Sequence, residues 1–120
     1  MPTPYEVEAF LNEFHVRMKV WSVVFRDDRA KNVVALVELG IVPNARKRTL
    51  EELTVMDFSE GPMKDTLNSG PDLWVFGKEL KEHEVCVKVT LGMQKQGPVF
   101  CISFHPSEQA MTFPFKRTTP

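Results

Sequence analysis

Apolar and polar residues follow two different rhythms along this chain, and the change of rhythm divides it. In the first half the apolar positions recur at helical spacing. Val7, Phe10, Leu11 and Phe14 stand at i, i+3, i+4 and i+7, one stripe of a helix. Thr3 can cap that helix, Pro4 suits its first position, and Glu6 completes a capping box with Thr3. Lys19 to Phe25 is rich in β-branched and aromatic residues and is bounded by Arg26-Asp27-Asp28, which predicts a strand. Asp27 or Asp28 then caps a second helix whose buried stripe is Ala30, Val33, Val34, Val37 and Ile41, with Gly40 placed to end it. Pro43 opens a shorter third helix through about Leu53, with Ala45, Leu50 and Leu53 inward. Ser59 to Pro71 reads as a loop, because Gly61-Pro62 and Ser69-Gly70-Pro71 are breakers at both ends; loops of this length are more often functional than not.

From Asp72 onward the period is two. Asp72 to Leu80 is a strand and Lys81-Glu82-His83 a turn. Glu84 to Leu91 alternates with Val85, Val87, Val89 and Leu91 on one side and Cys86, Lys88 and Thr90 on the other. After a second turn at Gly92 to Pro98, Val99 to His105 puts Phe100, Ile102 and Phe104 on one side and Val99, Cys101, Ser103 and His105 opposite. Short connections make these strands antiparallel neighbours. Met111 to Lys116 is expected as a short edge strand, since Pro114 cannot sit inside a sheet. Helices first and strands later predict an α+β fold: an antiparallel sheet with two to three helices packed on one face, in a single domain over residues 1–120.

Composition narrows the function classes. At 120 residues, 42% hydrophobic and 26% charged, the chain can bury one real core. No apolar run approaches the ~20 residues of a membrane span, and the N-terminus lacks a basic segment followed by an apolar one, so the expected compartment is the cytoplasm, away from membranes. Cys86 and Cys101 show no Cys-x-x-Cys spacing, so neither a disulfide framework nor a metal site is expected. The net charge of −1 argues against a strongly basic nucleic-acid binder. The one dense basic cluster is Arg46-Lys47-Arg48, with Lys116-Arg117 near the end.

The polar side of the last two strands nonetheless suggests a chemistry. Lys88 and His105 share it, and on those strands the alternation brings no carboxylate beside them. Trp74, Phe76 and Lys78 alternate together on the preceding strand and could add stacking rings and another cation. Exposed rings stack bases, fixed cations hold phosphate, and an imidazole moves protons near neutrality. His105 would then be the acid/base of an RNA cleavage, and Lys88 the stabiliser of charge on the pentacoordinate phosphorus.

The stretches Leu53-Thr54-Val55-Met56-Asp57-Phe58-Ser59-Glu60-Gly61-Pro62, Trp74-Val75-Phe76-Gly77-Lys78-Glu79, Val85-Cys86-Val87-Lys88 and Cys101-Ile102-Ser103-Phe104-His105-Pro106 resemble the MqsR-like toxins of the RelE-type mRNA interferase group. The resemblance runs from about Tyr5 to Lys116. It implies a RelE-like fold and metal-independent endoribonuclease activity without a cofactor, in which the 2′-hydroxyl attacks the adjacent phosphate. It also implies mRNA and a cognate antitoxin as partners, with the ribosome as a further candidate.

The family's basic catalytic residue after Ser-Phe falls on His105, and its strand lysine on Lys88. Its tyrosine two places before that lysine is Cys86 here. Its lysine shortly after Asp-Phe is Glu60, with Lys64 the nearest cation, and its glutamine after Trp is Val75. Lys78, Trp74, Lys64, Arg46 and Arg48 are the candidate RNA contacts. The alternative is a non-catalytic protein-binding or autoregulatory module on the same fold.

Overall fold

The computed structural model describes residues 1–66 and 70–116. Its elements in order are α1 (Pro4–Trp21), β1 (Val23–Phe25), α2 (Ala30–Leu39), α3 (Ala45–Glu51), a 3-10 turn (Val55–Asp57), β2 (Phe58–Met63), β3 (Leu73–Leu80), β4 (His83–Thr90) and β5 (Val99–Pro106). The strands form one sheet in the order β1-β5-β4-β3-β2. β3, β4 and β5 pair antiparallel, as expected of the short connections, and β2 joins β3 antiparallel; β1 pairs parallel to β5 and makes the sheet mixed. The fold is α+β.

α1 forms as its sequence punctuation dictates. Thr3 Oγ1 accepts from Glu6 N–H, and Glu6 Oε1 accepts from Thr3 N–H. The buried side chains Val7, Phe10, Leu11 and Phe14 are the predicted stripe. The helix continues through Lys19-Val20-Trp21, so the expected strand shrinks to Val23–Phe25. Tertiary contact overrides β propensity here. Arg17, in the fourth turn, lies against the sheet and donates to Leu91 O and Gln94 O, docking the helix on the β4–β5 connection.

The second helix differs more. Neither aspartate caps it: Asp27 is bound to Arg46 and Asp28 to Arg26, and the N-cap position is Arg29. Gly40 does end it, in the left-handed conformation that a side chain disfavours. The buried residues are Asn32, Ala35 and Leu39, whereas Val33, Val34 and Val37 face outward. The predicted stripe is therefore on the solvent side except for Ile41, which is half-buried against the core. In α3, Leu50 is buried and so is Leu53 beyond it, but Ala45 is exposed and Arg46 turns inward in its place.

Two features of the sheet escaped the pattern. β2 occupies the first part of the expected loop; its edge position tolerates Pro62, and irregular register absorbs Gly61-Pro62. Positions 67–69 of that loop, and Arg117, lie outside the described residues. A β-bulge also interrupts the β4–β5 ladder between Lys88 and Val89, where Ser103 opposes Lys88 and Cys101 opposes Val89. Ile102 is the extra residue, and it resets the alternation. Val99, Cys101 and Phe104 thus join the core with Val85, Val87 and Val89, while Phe100 moves to the opposite face. Met111 to Lys116 makes no strand; it crosses the sheet as an irregular segment.

Candidate functional site

Cross-strand pairs share a face, so the register decides which candidates meet. Cys86 opposes His105, and Lys88 opposes Ser103. His105 and Lys88 are therefore diagonal neighbours on the face away from α1, at the about 7–8 Å typical of such pairs. Both are half-buried. His105 lies beyond the bulge, which is why simple alternation placed it correctly while misplacing Val99 to Cys101.

The imidazole is oriented. His105 Nδ1 lies 3.0 Å from Pro106 O. A carbonyl can only accept, so Nδ1 carries the proton and Nε2 of the neutral ring is left as the basic nitrogen. Beside it runs an open groove of about 450 Å³ lined by Lys31, Val34 and Glu38 of α2 and by His105, Ser107 and Glu108. Lys31 pairs with Glu108, and this ammonium holds the Glu108 carboxyl below its ordinary range. The Lys88 ammonium makes no hydrogen bond or ion pair with any described residue, so it is available to a ligand.

The thiol at Cys86 is less suited to chemistry. Burial pushes its pKa up, while the charge of Lys88 pulls in the other direction. Cys101 is wholly buried and its thiol is pushed up further. Both cysteines are free. Among the described residues no group of His, Cys, Asp and Glu side chains is arranged to hold a metal ion, and no helix is long and apolar enough to cross a membrane.

Four of the expected RNA contacts are elsewhere. Lys78 opposes Val85 and points to the helical side, where its Nζ lies 3.0 Å from Asp57 Oδ2 and fastens the 3-10 turn to β3. Trp74 is on that same side, stacked on Phe10 at 4.5 Å and edge-on to Phe58, so its ring is committed to the core. Arg46 is only 1% exposed; both terminal nitrogens donate to Asp27 at 2.8 Å, and its guanidinium lies 3.9 Å from the centre of the Phe25 ring. Its charge neutralises a carboxylate and caps the core. Arg48 is exposed near Glu52, but α3 packs Leu50 into the helical core, away from the Lys88–His105 face. Lys64 is exposed just past the end of β2.

The face also carries carboxylates that alternation within β4 and β5 did not reveal. Glu60 opposes Val75, which opposes Lys88; Glu79 opposes Glu84, two positions from Cys86. Glu60 was hidden in a strand that its Gly-Pro pair disguised, and Glu84 in a position that read as a turn boundary. The segment after β5 closes one flank. Ser107 N–H donates to Glu84 O, Met111 N–H donates to Glu84 Oε1, and Met111 and Phe113 lie over Gly77.

Comparison with family models, with curated proteins and with solved structures finds no match to this chain.

Proposed function

We propose that this chain is an MqsR-like toxin of RelE-type fold: a cytoplasmic endoribonuclease that cleaves mRNA and is held in check by a cognate antitoxin. One observation carries the reading, the β4–β5 register that sets Lys88 and an oriented His105 diagonally on one face. His105 Nε2 takes the proton of a ribose 2′-hydroxyl, whose oxygen then attacks the adjacent phosphorus. The bond from phosphorus to the 5′-oxygen breaks, and that oxygen leaves with a proton returned by the imidazolium. The products are a 2′,3′-cyclic phosphate and a 5′-hydroxyl. Lys88 offsets the extra negative charge on phosphorus. Of the other expected RNA contacts only Lys64, exposed just past the end of β2, is left for a backbone phosphate.

The second reading is a protein-binding or autoregulatory module. It is favoured by Glu60, Glu79 and Glu84, which repel RNA phosphate, and by the commitment of Arg46, Trp74 and Lys78 to structural contacts.

Inducing the wild type, His105→Ala and Lys88→Ala in a bacterial host while following growth and mRNA integrity tests the choice. The nuclease reading expects arrest and cleaved mRNA with the wild type, and a loss of about 100-fold or more in cleavage with His105→Ala. Undiminished cleavage by His105→Ala removes that residue from the mechanism. Intact mRNA with the wild type favours the binding module.

A further inference from the structure

α2 is apolar on two opposite sides. Its inner side carries Ala35 and Leu39 with the hydrogen-bonded Asn32. Its outer side carries Val33, Val34 and Val37 at 45%, 52% and 82% exposure, with Ala30 in line and Val42 exposed just beyond the helix. A helix side that groups exposed valines is normally covered by another apolar surface. A single copy of this fold provides none for the outer side.

We propose that this side is the interface of a symmetric dimer, formed by α2 packing antiparallel on α2 of a second copy. Charge complementarity selects this occupant. The outer stripe is bordered on one side by Lys31 and Glu38, seven residues apart and so nearly one above the other. A two-fold axis between positions 34 and 35 sets Val34 against its surroundings on the other copy. It also brings Lys31 level with the partner's Glu38, and Glu38 level with the partner's Lys31. An isologous contact must be self-complementary, and this stripe is. The opposite charges flank an apolar seam as they do in antiparallel coiled coils. Lys31 already pairs with Glu108 within its own chain, so in the dimer its ammonium lies between two carboxylates. This inference does not depend on the nuclease reading.

Sedimentation equilibrium of the full chain over a wide concentration range tests it. The expected result is a reversible monomer–dimer equilibrium. Val37→Glu should abolish it, and Lys31→Glu, which sets like charges together twice, should weaken it about tenfold or more. Lys31→Glu combined with Glu38→Lys exchanges the charges and should restore association. Circular dichroism on each variant separates dissociation from misfolding; these exposed positions should leave the fold intact. A monomer at every concentration overturns the proposal. So does a dimer indifferent to Val37→Glu, or a double charge variant no stronger than Lys31→Glu alone.

Discussion

Asn32 does for Phe104 what a neighbouring strand would do. β1 pairs with β5 only as far as Cys101, and beyond it Asn32 Oδ1 accepts from Phe104 N–H at 3.0 Å. The same amide donates to Ile102 O and to Arg26 O, each at 2.9 Å. One side chain, 2% exposed, thus covers the edge of β5 just before His105. Asn32→Ala strands buried backbone groups and is expected to cost about 2–3 kcal/mol in urea unfolding. A loss below about 1 kcal/mol would show that water replaces the amide at no great penalty.

Gly77 is one of the points where the C-terminal segment touches the sheet. A Cβ there would lie 2.7 Å from two ring atoms of Phe113 and 2.9 Å from Met111 Sδ. These are ends of flexible side chains on a segment without regular structure, so the segment would yield before the sheet does. Gly77→Ala is therefore expected to speed proteolytic cutting between Pro106 and Lys116, while global stability falls by only about 1 kcal/mol. Unchanged cutting there would mean that Phe113 and Met111 do not hold the segment down.

The parts of this fold that were legible in the sequence are those decided locally. Thr3 and Glu6 bond across one helical turn, the Val7–Phe14 stripe has a single apolar side, and Gly40 needs only its own backbone angles. What was not legible depended on choices between distant segments. The bulge at Ile102 is settled by pairing with β4, and it moves Cys101 into the core without any local sign. α2 offered two apolar sides, and the richer one, Val33-Val34-Val37, proved to be the outer. The site divides along the same line. Lys88 and His105 were legible because each keeps its parity relative to a buried neighbour. Lys78 and Trp74 were not, since nothing within β3 says which of its sides meets α1.

Thr90 sits on the Lys88 face, 4% exposed, and its hydroxyl has no hydrogen-bond partner among the described residues. A buried hydroxyl stripped of water and left unpaired costs roughly 1–3 kcal/mol. Thr90→Val keeps the branched shape and removes the polar atom. The expected outcome is a gain of about 1 kcal/mol, read as a higher urea midpoint with an unchanged slope. Destabilisation by Val would show that the hydroxyl finds a partner in solution.

Asp27 and Arg46 make the acid response of the fold predictable. The hydrogen bonds from Arg46 hold the Asp27 carboxyl below its ordinary range, and partial burial opposes them only in part. A carboxyl whose folded pKa lies below its unfolded value of about 3.9 contributes stability that is complete above that value and is lost as pH falls through the folded pKa. Asp27→Asn removes this contribution and leaves the Arg46 charge buried beside a neutral amide. Because Asp27 is itself 41% exposed, solvent screening limits the expected loss at neutral pH to about 1–2 kcal/mol. The stability curves of wild type and variant should then begin to converge as the pH drops below about 4 and meet below the lower folded-state pKa, where the wild-type carboxyl is also neutral. Urea unfolding at a series of pH values measures both curves. If they run parallel through the acid range, the pair does not carry the acid sensitivity assigned to it.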